Sequence, residues 1–452
     1  MNPLLENEVV FIYKGIIFWI LLLVFLSWGA TVSHAAHAIY VAPNGHDTAG
    51  DGSITAPFRS IQYAINTSSH GDEILVRKGI YHELMTIQGR TTDSNLHLTI
   101  RPYKNEKVVI DGSKRDSTSS QRAAFTIENS SNINIIGFEI RNISTESDDF
   151  YPAGILVLGE SKTIQLLHNH IHHIANNHEE GNAHGILVYG NSVTPIEHLL
   201  IRNNRLHHLT LGSSESLTLS GNVSNFIIDR NTLYKNNNIG IDVAGFYGAC
   251  SDRGCIDYAR NGIISNNIVI EHSSRENPAY EGDDSAPGIY VDGGKHIKII
   301  NNYLANNNYG ISIGSENYKQ SSTYITVRNN TIKNNDKAGL VIGGSTQDLN
   351  GGASHISIEN NDFIANDTMQ HGYYEITLQQ NIQHLSLTKN TYKICAMNKY
   401  INNRGKSNLS FTQSQEKLLF SFSRCDECKR FRRNYNESFN NRWLRFYWVT
   451  CS

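Results

Sequence analysis

The chain has 452 residues, with 39 basic against 42 acidic side chains, 18% charged in all, and eight prolines. So even a balance leaves no basic footprint for nucleic acid, while the length alone permits two or three ordinary domains. Few charges with abundant Asn and Gly argue against a mainly helical protein and for a repetitive sheet with many tight turns.

The first element is a targeting segment over residues 1–38. Gly15–Trp28 (GIIFWILLLVFLSW) carries no charge and follows Lys14, and small residues lead on to Ala36-His37-Ala38. A short apolar core and an A-x-A site are what a cleavable export signal needs. Left uncleaved, residues 15–32 would anchor the chain in a membrane. Either way the body is expected to be secreted, periplasmic or at the cell surface.

Residues 39–120 read as an N-terminal cap and the first coils of a solenoid. In APFRSIQYAI, Phe58, Ile61 and Ile65 share one helical face, suited to cover the open end of such a stack. DEILVRKGIY then reads as a strand.

From residue 121 to 395 one pattern repeats. An Asn followed two residues later by an apolar residue recurs at Asn169, Asn204, Asn231, Asn267, Asn302, Asn330, Asn361 and Asn390, in steps of 27 to 36 residues. Alternating runs such as FIID, IKII and ITVR precede these anchors. Gly-led strands (GILVYG, GIDVAG, GIYVDG, GISIGS, GLVIGG) come after them. The runs have period two and are too short for helices, and no single unit could bury its apolar face, whereas stacked units could. The prediction is an all-β, right-handed parallel β-helix with a short N-terminal capping helix, its asparagines forming amide ladders at the turns. The repeat is expected to stop near Lys393. Residues 396–452 are left as a basic, aromatic extension, with seven basic and three acidic side chains from Arg424 onward.

Side chains alternate across a strand, so the Gly-led strands can be aligned. Ile186, Leu217, Ile241, Ile289 and Ile311 then point inward. The outward column between the two inward ones reads Leu156, Leu187, Thr218, Asp242, Tyr290, Ser312, Val341. The next outward column includes Tyr189, Ser220, Ala244 and Asp292. Asp242, Tyr290 and Asp292 are therefore predicted to face solvent together on adjacent coils. Two long acid-rich loops, 246–260 and 271–287, flank the same face and are expected to wall a cleft. Glu215 and Glu316 lie just outside neighbouring strands, within reach of it. His184, Thr218, Ser312 and Tyr189 are candidate substrate contacts. Any β-helix needs polar outward positions, so the case for a site rests on the grouping, not on one carboxylate.

Two further clusters stand out. HNHIHHIANNHEEGNAH places His172 and His173 one coil from His207 and His208, predicting a stacked histidine turn, with metal ligation as the alternative. Cys250 and Cys255 bracket CSDRGC and could close a local disulfide in an oxidising compartment, although spacing alone does not establish pairing. Cys425 and Cys428 form a lone C-x-x-C, too few ligands for a zinc site.

YVAPNGHDTAGDGSITAPFRSIQYAI, followed by GDEILVRKGIYHE, resembles the N-terminal cap of family 9 polysaccharide lyases. The later coils are similar to the pectate-lyase-like superfamily, so the resemblance spans residues 39–395. It implies a polysaccharide substrate and calcium-assisted β-elimination on a uronic-acid polymer such as pectate. On that reading Asp242, Asp292, Glu215 and Glu316 would hold calcium, an ion that favours several carboxylate and carbonyl oxygens. Arg260 or Lys295 would be the base, its pKa lowered by its surroundings, and Tyr290 would stack on a sugar or shuttle the proton. The family's strand-borne cluster of aspartates has no counterpart, since Asp283 and Asp284 fall in a loop.

Two other readings stand beside the lyase. Asp242 and Asp292, one coil and two residues apart, are separated by a diagonal of roughly 8 Å. That lies within the range of about 6.5–9.5 Å for inverting glycoside hydrolases. A non-catalytic polysaccharide-binding rod or surface adhesin is the third. A monomer is expected in each case.

Overall fold

The computed structural model describes residues 37–114, 122–394, 400–405, 411–414 and 416–420. The apolar segment at 15–32, Cys425, Cys428 and Cys451 lie outside these residues. Among the described residues no helix is long and apolar enough to cross a membrane.

Three parallel sheets of 13, 11 and 12 strands run the length of a right-handed β-helix, and each coil adds one short strand to each sheet. The coil at the middle of the chain uses Ile241–Ala244, then Arg260–Ser265, then Ile268–Ile270, before Pro287–Asp292 begins the next. The inward column pairs residue for residue, Ile186 with Leu217, Ile241, Ile289 and Ile311, and all five are fully buried. At the N-terminal end the helix Ile61–Thr67 closes the stack. Ser60 caps it by accepting from the Tyr63 amide, and Phe58, Ile61 and Ile65 are buried beneath.

The NN dipeptides of the sequence have a physical basis. The residue before each ladder asparagine adopts a left-handed conformation, as at Asn203, Asn266 and Asn301 with φ of 56°, 56° and 57°. Asn tolerates that region better than other non-glycine residues. The second Asn turns its amide into the stack. Asn204 donates its backbone N–H and its Nδ2 to Asn231 Oδ1, at 2.9 and 3.0 Å, and its Nδ2 to the Leu166 carbonyl at 2.8 Å. The same pattern runs unbroken from Asn169 to Asn390, so every amide of this ladder is satisfied by its neighbours.

One expectation is corrected. The repeat does not stop near Lys393, because Ile401–Asn403, Phe411–Ser414 and Lys417–Phe420 add a further parallel strand to each sheet. No asparagine stands at the ladder position of this coil. Glu416 takes the ladder position instead, its Oε1 accepting from the Asn390 N–H and Nδ2, both at 3.3 Å.

Candidate active site on the groove face

The predicted outward columns hold. Thr218, Asp242, Tyr290 and Ser312 are consecutive partners on the 11-stranded sheet, and Asp292 pairs with Gly314. Their exposure does not hold. Asp242 is 5% exposed and Asp292 2%, while Tyr290 is half-buried. They point away from the core, but the flanking segments fold over them, so they are buried outside the core rather than bathed in solvent.

The 246–260 loop is a built structure. A Gly245–Tyr258 bridge closes its base, and Asp257 accepts from the amides of Gly248 (2.7 Å) and Cys250 (3.2 Å). The Cys250–Cys255 disulfide forms as the spacing allowed. These bonds fix Tyr247, whose hydroxyl contacts Asp292 Oδ2 and lies 3.0 Å from Glu316 Oε2. The other Asp292 oxygen accepts from the Glu316 amide at 2.8 Å. A phenol has one proton, so it can satisfy both carboxyl groups only if one of them is itself protonated and donates back.

On the other side, His184 Nδ1, Thr218 Oγ1 and Glu215 Oε2 form a chain with spacings of 2.9 and 2.8 Å. Thr218 donates to Glu215, and His184 Nδ1 meets the same hydroxyl. Burial pulls the His184 pKa down to about 4, which keeps it neutral. The 271–287 loop supplies the next wall. Asn277 Nδ2 ties it to the carbonyls of Gly212 (2.7 Å) and Asn237 (3.0 Å), and the Tyr280 hydroxyl accepts from Asn238 Nδ2 at 2.9 Å. Burial, then the charges of Glu215, Glu316 and Asp242, push the Tyr280 phenol up to about 12.

Glu215, Asp242, Asp292 and Glu316 therefore share one site. Burial raises the Asp242 pKa well above the carboxylate range, and the charges of Glu215, Asp292 and Glu316 add to it. Burial and neighbouring acids likewise hold Asp292 and Glu215 up at about 7. Asp242 Oδ1 is buried without a hydrogen-bond partner among the described residues, which favours the protonated form of the group.

Several predicted members stand elsewhere. Arg260 and Lys295 pair with each other on the neighbouring 13-stranded sheet. Arg260 Nη1 binds Asn222 Oδ1 at 2.9 Å, and Lys295 Nζ lies 4.1 Å from the Tyr258 ring centre. Neither has the carboxylates as a partner. Tyr189 is a rim residue of the groove sheet, its hydroxyl pushed up by burial and by the Asp257 charge. Ser312 sits beside Tyr290 as expected. Both Asp292 oxygens are already engaged, and among the described residues no group of three or more His, Cys, Asp or Glu is placed to hold a metal ion. The histidines do stack, His172 over His207 at 5.1 Å and His173 over His208 at 5.6 Å.

Tyr247 and Tyr280 were missed by the sequence reading. Strand parity does not extend into loops. The only signal was an aromatic residue inside each acid-rich insertion.

This arrangement is that of a pectate-lyase-like β-helix with a loop-covered acidic groove. Residues 39–204 match the family described as Pel9A-like, right-handed β-helix region, and residues 153–363 match the right-handed β-helix region. The protein YwoF of Bacillus subtilis (strain 168) is 35% identical over 354 residues, 78% of this chain and 74% of that protein. The chain belongs to the same family of right-handed β-helix proteins. Pectate lyase PEL9 of Emericella nidulans is 37% identical over 81 residues, 18% of this chain and 20% of that enzyme. Among solved structures, the GH136 lacto-N-biosidase from Eubacterium ramulus superposes with a TM-score of 0.59 at 13% identity, covering 85% of this chain and 68% of that one. At that identity the likeness concerns the fold.

Proposed function

We propose that the protein is an exported carbohydrate-active enzyme that hydrolyses a glycosidic bond in the acidic groove. Asp242 acts as general acid and Asp292 as general base. The observation that carries this reading is the unpartnered, buried Asp242 Oδ1 one coil from Asp292, in a cluster where the acids raise one another. Asp292 accepts from the Tyr247 hydroxyl and the Glu316 amide, which favour its ionised form, while Asp242 Oδ1 has no donor, and one proton-carrying and one ionised carboxyl group are the requirement of glycoside hydrolysis. Asp242 gives its proton to the leaving oxygen as the glycosidic C–O bond breaks. Asp292 takes a proton from the water whose oxygen bonds to the anomeric carbon. A separation of the two carboxyl groups that admits this water gives inversion at the anomeric carbon.

Hydrolysis is favoured over β-elimination on electrostatic grounds. Elimination needs a base beside a uronate and positive charge to stabilise it. Arg260 and Lys295 have their partners on the next sheet, and a uronate at the reacting position would meet four acids. The Cys250–Cys255 disulfide supports an oxidising, exported location. The test is incubation with a panel of neutral and acidic plant and bacterial polysaccharides, with and without chelator. Reducing ends should appear without absorbance from an unsaturated uronate, chelator making no difference. An unsaturated, chelator-sensitive product would establish the lyase instead, and silence across the panel would leave the binding rod.

A further inference from the structure

We propose that the groove continues toward the C-terminal coils into a second subsite, formed by Tyr309, Lys337, Tyr373 and Arg404, that binds an anionic sugar unit. The proposal rests on the groove being a glycan cleft. Tyr309 opens the strand that comes after the Asp292 strand and pairs with Pro287 at its start. Its ring meets Tyr373 edge-on, with centres 5.8 Å apart. Arg404 lays its guanidinium over Tyr373, 3.9 Å from the ring centre, and Lys337 Nζ lies 5.4 Å from Tyr309 and 5.7 Å from Tyr373.

The cations are what make this more than an aromatic patch. Among the described residues neither Lys337 nor Arg404 forms an ion pair, whereas the nearby Arg275 is paired with Asp284. Arg404 is exposed, and Lys337, Tyr309 and Tyr373 are half-buried. Burial pushes the Tyr373 hydroxyl up, but hydrogen bonds with Tyr309 and Arg404 outweigh it and leave the group below its ordinary value. A planar guanidinium, an ammonium and two phenols on one face suit a carboxylate or sulfate carried on a sugar ring, the ring resting on tyrosine. The strand after Tyr373 is three coils beyond the Asp292 strand, roughly 14 Å at about 4.8 Å per strand. The site thus places the charged unit a few sugars from the bond to be cut. The acids exclude charge at one end of the groove and the cations select it at the other.

The test uses the full chain carrying Asp292→Asn, so that bound glycan is not consumed. Dissociation constants are measured for polygalacturonate, chondroitin sulfate and a neutral linear galactan at low and high salt. One or both acidic polymers should bind more tightly than galactan and weaken with salt. Adding Lys337→Met and Arg404→Met should weaken acidic-polymer binding about tenfold or more, because hydrogen bonds between charged groups are the strong ones, while leaving galactan binding alone. Unchanged binding to acidic polymers, or equal loss for galactan, overturns the subsite. Should the combined variant fail to melt cooperatively, Lys337→Gln and Arg404→Gln taken singly decide by the same criterion. If the native protein releases no reducing ends from any polymer while the Lys337- and Arg404-dependent binding persists, the hydrolase reading falls and the subsite stands.

Discussion

Replacing Asp292 with Asn should stabilise the protein at alkaline pH while destroying its activity. The carboxyl is 2% exposed and its pKa is raised to about 7 by burial and by Glu316. A carboxyl whose folded pKa lies above its unfolded value contributes its full stability at acid pH and loses it as pH rises through the folded pKa. Here the loss falls between about 4 and about 7. That rise corresponds to a ceiling of about 4 kcal/mol. Glu215 and Asp242 can trade protons with it and share that cost, so a gain of about 1–2 kcal/mol at pH 8 is expected for the variant, and a smaller one at pH 5. Asn fits the site. Its oxygen can still accept from the Glu316 amide, its Nδ2 can donate to Tyr247, and Tyr247 can turn its proton to Glu316. Urea unfolding of both proteins at pH 5 and pH 8, monitored by far-UV circular dichroism of the β-helix, measures the difference. Hydrolysis should fall by orders of magnitude. A variant less stable than the native protein by the same amount at both pH values would refute the reasoning, because Asp292 would then be a structural hydrogen-bonder rather than a strained acid.

Tyr247→Phe removes the hydroxyl between Asp292 and Glu316, and the loss of a bond to a charged group should cost about tenfold to a hundredfold in turnover. Because that hydroxyl lowers the Asp292 pKa, the acid limb of the pH–rate profile should move to higher pH. Lys295→Met should leave turnover within about twofold, its place on the Tyr258 ring being structural; a loss of orders of magnitude would restore β-elimination. Asn267→Ala interrupts the buried ladder, stranding the Asn231 N–H and one of its two Nδ2 hydrogens, and should cost about 3 kcal/mol or more in urea unfolding. A cost below about 0.5 kcal/mol would mean the amides are not acting as a stack.

The inward and outward columns were legible because a strand has a period of two, and one misplaced residue would have inverted every assignment. Asp242 and Asp292 were found by that rule alone. The same rule could not give their burial, since it separates core from non-core and says nothing of what lies above the sheet. The path of the 246–260 loop, and with it Tyr247, depends on Asp257 binding two amides at its neck, a contact between residues seven to nine apart with no periodic signal. Lys295 shows the converse error. It comes three residues after Asp292, but Gly293, at φ 84°, turns the chain onto the next sheet and carries the lysine away from the acids. The coil beyond Lys393 escaped because a glutamate occupies the ladder position where the repeat led one to look for asparagine.

The two sets of buried polar groups in this fold are opposite in character. Each ladder asparagine has donors and acceptors matched on both sides, so removing one must destabilise. The groove acids are matched only in part, with Asp242 Oδ1 left over and each carboxyl raising its neighbours' proton affinity. A stack that needed these acids for its own sake would have paired them with cations, as it pairs Arg141 with Asp111 at 2.8 Å. Local conflict that the structure holds in place without relieving it is the pattern expected where function, rather than folding, fixes the residue. The signs of the Asp292→Asn and Asn267→Ala changes therefore separate the two roles. If both substitutions destabilise alike at pH 8, the acids belong to the scaffold and the groove has no chemistry of the kind proposed.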